Sequence, residues 1–359
     1  MGSQRRLAGL DLFRGLAIYA VILVHIDEGV NTLAPSWIKI TEFAAFNVPF
    51  FLAAAFYLAI SKLYTSGGAY PLRSRLARLL FPYAIWSAFY LIYKSTKYFA
   101  TGEIQSVVHL FQDPLSLVFL GGSSYHLYFL PLLAMGTLLV KFTEFLIKRN
   151  ISLIGIGTLS LASILLYETI LITGNELRNP PNVAFESLLS IVFPEGNSNP
   201  LLRLFLVGSF WLFRCLPYIM VAMFLAHPVV EKLSLKYITK YPIFWVIIFV
   251  TFNLFGSLLV SKGVEEVVRG YTALIAAIAL SSVLKENPLI KNIGLCSFGI
   301  YLVHIFFVET FQSIAVRLFP NYVNSVSTSM LLAASILVFL VSWATTELLR
   351  RNKLLSRIV

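Results

Sequence analysis

Charge is scarce in this 359-residue chain. Only 13% of its residues are Asp, Glu, Lys or Arg, about half the roughly 25% usual in soluble proteins. A soluble domain of this length needs more polar surface than that supplies, so the shortage excludes one. Cysteine is nearly absent too. Cys215 and Cys296 lie inside apolar stretches and form neither a disulfide framework nor a zinc pattern. No Walker-type glycine-rich loop occurs, which argues against a nucleotide-driven pump. No histidine pair has zinc-ligand spacing, so no metal is expected. Ser/His/Asp and Cys/His arrangements cannot be assembled from local sequence. The net charge is +11. Yet no basic run is interleaved with aromatics, so no nucleic-acid partner is expected.

What the chain has is hydrophobic sequence, 58% of its residues, with a mean hydropathy of +0.81. The fold class that follows is all-α, a polytopic transmembrane helix bundle whose first partner is the lipid bilayer. Ten spans are expected, at about 7–26, 40–60, 79–98, 126–146, 151–173, 204–226, 242–261, 271–284, 293–316 and 325–349. The eighth is short and admits an earlier start. The first could be mistaken for a signal peptide. Arg14 breaks its apolar run, and no small-x-small cleavage site precedes Asp27-Glu28, so it reads as a retained helix.

Alternate connections and the termini carry 18 of the 28 lysines and arginines, against 8 in the other connections. The richer side is cytoplasmic and holds both termini. Residues 7–346 read as one transmembrane domain and 347–359 as a basic cytoplasmic tail. The two longest connections, about 100–125 and 174–203, fall on the outer face, where loops of such length are often functional. The two remaining cations, Arg14 and Arg214, fall inside spans.

Ionisable groups at membrane depth are costly and usually face a protein interior or a water-filled cavity. Helix 1 carries three. Arg14 and His25 are 11 residues apart, so on one α-helix they share a face, separated by roughly 16 Å. Asp11 lies three residues before Arg14 on that face. An interhelical hydrogen-bond pair would explain them. The sharper reading is a cation near the inner side and a general base in the outer half, a role that suits imidazole.

At the cytoplasmic start of helix 3, Arg75 and Arg78 share a face at a helix N-terminus. That end already favours anions, so the pair reads as a phosphate clamp, against the plainer reading of a positive-inside cluster. His126 opens helix 4 on the outer side. Tyr301 and His304, three apart in helix 9, share a face; a satisfied interior histidine accounts for His304 equally well.

Four stretches, taken in order, resemble the acyltransferase 3 family of integral membrane acyltransferases. They are Asp11-Leu12-Phe13-Arg14-Gly15-Leu16-Ala17 followed by His25; Val48-Pro49-Phe50-Phe51-Leu52; Arg75-Leu76-Ala77-Arg78 running into Leu79-Leu80-Phe81-Pro82-Tyr83; and Ser297-Phe298-Gly299-Ile300-Tyr301-Leu302-Val303-His304. His126-Leu127-Tyr128-Phe129-Leu130 is similar to a His-Leu-Trp-Phe-Leu pattern of one branch, with Tyr128 in the Trp place. The Ser-x-x-Trp-Ser-Leu-x-x-Glu pattern of the polysaccharide O-acetylase branch is absent.

The resemblance implies a multi-pass enzyme of the inner or plasma membrane. Its donor would be cytoplasmic acyl-CoA, usually acetyl-CoA. Its acceptor would be a hydroxyl of a sugar or lipid-linked glycan at the outer face. By the same resemblance Arg14 and His25 match the family's arginine–histidine pair. Arg75 and Arg78 match its paired arginines, thought to hold the coenzyme A phosphates. His126, Tyr301 and His304 become candidates for acceptor or oxyanion contacts. An exporter of polysaccharide or lipid-linked glycan, without acyl transfer, remains the rival that a polar stripe alone would serve equally.

Overall fold

The computed structural model describes residues 7–67, 69–178, 182–193, 199–319 and 322–359. Arg5 and Arg6, and the Pro-rich outer stretches 179–181 and 194–198, lie outside the described residues. Helices follow one another from α1 (Ala8–Leu23), α2 (Pro35–Ala44), α3 (Asn47–Ser66) and α4 (Leu72–Thr101) to α5 (Ile104–Phe111), α6 (Phe129–Lys148) and α7 (Leu153–Ile172). The second half holds α8 (Glu186–Val192), α9 (Pro200–Leu225), α10 (Pro228–Lys240), α11 (Pro242–Leu259), α12 (Lys262–Leu280), α13 (Pro288–Leu318) and α14 (Thr328–Arg351). Among the described residues extended pairing is confined to two isolated bridges, Leu33 with Val326 and Arg178 with Val183.

Eight helical segments among the described residues are long and apolar enough to cross a bilayer. α1 and α12 make up the ten expected spans, although α1 has only 16 residues and α12 carries Lys262, Glu265, Glu266 and Arg269. Both can be polar because both are enclosed. α1 packs against α3, α12, α13 and α14, and α12 against α1, α3, α7 and α11. A helix wrapped by other helices does not need an apolar outer face.

Three of the boundaries that differ from the sequence expectation bear on the site. α1 stops at Leu23, so His25 lies in the turn after it rather than on the helix. The span expected at 40–60 is two helices, broken at Ala45-Phe46. Pro49 explains the break, because its ring clashes with the carbonyl four residues back and it offers no N–H. α12 begins at Lys262, nine residues before the expected start, which places Lys262 and Arg269 on a helix and not in an outer connection.

Small residues set the closest approaches, as is usual where helices lack a hydrophobic drive to associate. A Cβ on Gly270 of α12 would lie 2.5 Å from the Pro49 carbonyl oxygen of α3, and one on Gly294 of α13 would lie 2.8 Å from Asp11 Cβ. Ala273, Ala276, Ala277 and Ala279 continue the small face of α12, all without exposure.

The long helices α4 and α13 meet through side chains. Glu309 of α13 takes Lys94 at 3.8 Å and Lys97 at 3.7 Å from α4. Deeper, the Tyr90 hydroxyl donates to the Leu302 carbonyl at 2.8 Å. Beyond α14 the chain turns back into the bundle, and Trp86 Nε1 donates to the Ile358 carbonyl at 2.7 Å.

Gly270→Ala should cost about 1–3 kcal/mol of stability, because a backbone carbonyl has to give way. Thermal unfolding of the purified protein checks it. Gly208→Ala is the control and should leave the transition unchanged, since its nearest neighbour is the mobile end of Met135 at 3.7 Å.

Candidate active site

The turn that follows α1 is pinned from three sides. Trp37 Nε1, on the fully buried indole of α2, donates to Asp27 Oδ2 at 2.8 Å. Gln312 of α13 donates to the Glu28 carbonyl at 2.9 Å, and Asn31 N–H donates to the Val323 carbonyl at 2.8 Å. Burial pushes the Asp27 carboxyl above its usual range, opposed by the hydrogen bond from Trp37. This fixed turn presents His25 and Glu28 together. His25 Nδ1 lies 2.7 Å from Glu28 Oε1. A carboxylate can only accept, so Nδ1 carries the proton, and in the neutral ring Nε2 keeps its lone pair.

Two further histidines adjoin His25. The His304 ring lies 5.7 Å from it, and the His126 ring lies 5.2 Å from His304. The Tyr301 hydroxyl donates to the His126 carbonyl, joining α13 to the segment that opens α6. Tyr125 covers the other side of His25, with ring centres 5.1 Å apart. The structure thus gathers His25, His126, Tyr301 and His304 at the outer end of the bundle.

His304 Nδ1 sits 2.7 Å from the Tyr301 carbonyl, so it too carries its proton there. Its Nε2 is buried and without a hydrogen-bond partner. A bare imidazole nitrogen accepts hydrogen bonds and cannot stabilise an oxyanion, which narrows His304 to an acceptor while it is neutral. His126 is different. Its Nδ1 faces the Ser124 hydroxyl at 3.0 Å, a group that can donate or accept, so its unpartnered Nε2 can carry a proton.

A cavity opens beside this cluster in two lobes of about 460 and 540 Å³, with His25, Tyr128, Arg214, Lys262 and Glu266 lining both. One lobe runs between α1 and α3 along Val21, Val24, Val48 and Pro49. The other reaches Tyr167 and Leu177 on the outer side. Its cations are neutralised in place. Arg214 Nη2 lies 2.8 Å from Glu266 Oε1, and the Tyr167 hydroxyl donates to Glu266 Oε2 at 2.7 Å. Arg269 pairs with Glu265, and Lys262 with Glu176.

The arginines predicted for the donor stand apart from this cluster. Tyr90 of α4 touches the His126 ring at 5.1 Å. Arg78 is 12 residues earlier on the same helix, roughly 18 Å toward the cytoplasmic end. Among the described residues no carboxylate lies within salt-bridge distance of Arg75 or Arg78. Burial raises the pKa of the nearby Tyr70 phenol, and the charge of Arg75 opposes that rise. Arg14 stays with Asp11, at 3.5 Å, and the packed side chains of Ile18 and Ile22 lie between it and the turn of His25. Among the described residues no group of three His, Cys, Asp or Glu side chains is arranged to hold a metal ion.

A family model described as an acyltransferase domain, that of acyltransferase 3, matches residues 7–347, nearly the whole chain. The chain belongs to the acyltransferase 3 family. No curated protein and no solved structure matches it. As a membrane acyltransferase it needs a nucleophile brought to an activated acyl group, with a base for the nucleophile's proton. Of the groups at the outer cavity, the His25 Nε2 combines a free lone pair, a carboxylate partner behind it and access to solvent space.

The sequence reading passed over Glu28, Tyr125 and the Arg214–Glu266 pair. Glu28 had a signal: it lies three residues after His25, the same spacing that links Asp11 to Arg14. Arg214 and Glu266 are 52 residues apart on different helices, and no local pattern joins them. Removing one partner leaves the other charge uncompensated. Glu266→Leu should therefore lower stability by about 3 kcal/mol. The double change Arg214→Met with Glu266→Leu should recover much of that loss in thermal unfolding.

Proposed function

We propose that this acyltransferase moves an acyl group, most simply acetyl, from cytoplasmic acyl-CoA to a sugar hydroxyl of a glycan or lipid-linked glycan on the outer face of the inner or plasma membrane. The observation that carries the reading is the His25–Glu28 pair at the junction of the two outer lobes, with Nε2 left as the proton acceptor. Tyrosines and charge-neutralised arginines around it suit a polyhydroxylated ring.

In the proposed step the acceptor hydroxyl gives its proton to His25 Nε2 as its oxygen bonds to the thioester carbonyl carbon. Glu28 stabilises the imidazolium that forms. The tetrahedral intermediate collapses, the carbon–sulfur bond breaks, and the coenzyme A thiolate takes the proton back from His25. His126, with a proton on Nε2, would face the oxyanion. Arg75 and Arg78, at the cytoplasmic start of α4 and without a carboxylate partner among the described residues, would take the coenzyme A phosphates. Arg14 would add positive charge on the inner side.

Acyl transfer in reconstituted vesicles tests this, read as free thiol released and glycoside acylated. General base catalysis contributes about 10²–10⁴-fold, so His25→Ala should lose at least a hundredfold in kcat. Activity within a few-fold of wild type would remove the base role. Arg75→Ala with Arg78→Ala should raise the KM for acyl-CoA tenfold or more, at roughly 1.5–3 kcal/mol for each charged hydrogen bond lost. An unchanged KM would end the clamp.

A further inference from the structure

The seam between α4 and α13 is bridged differently along its length. Its outer end is held by Lys94 and Lys97 on Glu309, and its middle by Tyr90 on Leu302. One turn further toward the cytoplasm the bridge belongs to neither helix. There the segment after α14 turns at 355–357 and lays Ile358 and Val359, both half-buried, against Trp86 of α4 and Gly299 of α13. Trp86 Nε1 donates to the Ile358 carbonyl at 2.7 Å. A Cβ on Gly299 would lie 3.0 Å from Val359 Cβ and 2.3 Å from Thr346 Cγ2, so the bare glycine is what makes room. The Thr346 hydroxyl, fully buried, has no hydrogen-bond partner.

This position is not neutral ground. Trp86 is 11 residues beyond Arg75 on α4, hence on the same face about 16 Å deeper. Tyr90, one turn further, touches His126. The inserted residues therefore stand on the line from the arginine pair to the histidine cluster. The groove offers an indole donor, an unused hydroxyl and a narrow gap between helices. A thin flexible chain of amides fits that set, and a peptide is one such chain. The pantetheine arm of a coenzyme A thioester, with its two amides, is another.

We infer that the groove formed by Trp86, Gly299 and Thr346 is the binding site of the donor's pantetheine arm, and that residues 354–359 occupy it as an internal stand-in which the donor displaces. The inference rests on the acyl-CoA reading above. The segment competes with the arm for the Trp86 N–H while leaving the arginine pair open to the phosphates. Full-length protein then binds the phosphate end first and admits the arm only as the segment withdraws.

Desulfo-coenzyme A, which keeps both amides and lacks the thiol, is the probe. Its affinity is compared for the full chain and for a chain shortened to end at Lys353, both in nanodiscs. Loss of the segment should tighten binding at least tenfold and leave the affinity for adenosine 3′,5′-bisphosphate, which has no pantetheine arm, unchanged. In the shortened chain Trp86→Phe should weaken desulfo-coenzyme A severalfold. A second measurement uses the full chain with Val359→Cys in a Cys215→Ala, Cys296→Ala background. Desulfo-coenzyme A should speed alkylation of that cysteine by a water-soluble maleimide at least fivefold, and the bisphosphate should not. Equal affinity with and without the segment, or alkylation that saturating probe does not change, overturns the stand-in alone. Absence of probe binding to either chain overturns the acyl-CoA reading and the inference with it.

Discussion

A charge inside a membrane bundle has to be answered by another charge or by water. This requirement organises the molecule. Asp11 and Arg14 answer each other within one turn of α1. Glu309 gathers two lysines across the outer seam, and Glu266 takes Arg214 with help from two tyrosines. His25 and Glu28 sit where the protein interior meets the outer cavity, and in the proposed reaction their pairing would serve catalysis as well as tolerance. α1, which carries Asp11 and Arg14, and α12, which carries Glu266, are helices wrapped by others. Small residues on α12 and α13 let that wrapping close.

The same requirement separates the two ends of the proposed reaction. The histidine cluster belongs to the outer cavity and is held by turns and tyrosines. The arginine pair belongs to the first turns of α4 and has no carboxylate partner among the described residues. α4 connects them as a single continuous helix, carrying Arg75 and Arg78 at one end, Trp86 between and Tyr90 against His126. In the proposed reaction it would act as a ruler between the donor phosphates and the reacting acyl group.

Much of this was legible in the residues. Composition established the bundle, and the lysine and arginine asymmetry carries the orientation expected of it. The order of four motifs gave the family that the match over residues 7–347 then showed. His25, His126 and the Tyr301–His304 pair were picked out separately, but their meeting was not readable, because it joins a turn, a loop and a helix from three parts of the chain. The shared helical face of Arg14 and His25 was a periodicity argument, and it weakened once Leu23 proved to be the last helical residue of α1. Pairs such as Arg214 with Glu266 leave no trace in local spacing. The insertion of Ile358 beside Trp86 was hidden for another reason: a basic, exposed-looking tail gives no sign that its last apolar residues return to the interior.

The shortness of α1 has a physical result of its own. Sixteen helical residues extend about 24 Å, less than the roughly 30 Å of a hydrocarbon core. A helix that short does not span the core by itself, so in the proposed reaction the turn that follows it and the cavity lined by His25 would supply the rest of the passage. An acyl group carried along that cavity would cross a shorter stretch of low-dielectric medium than a route through lipid would impose.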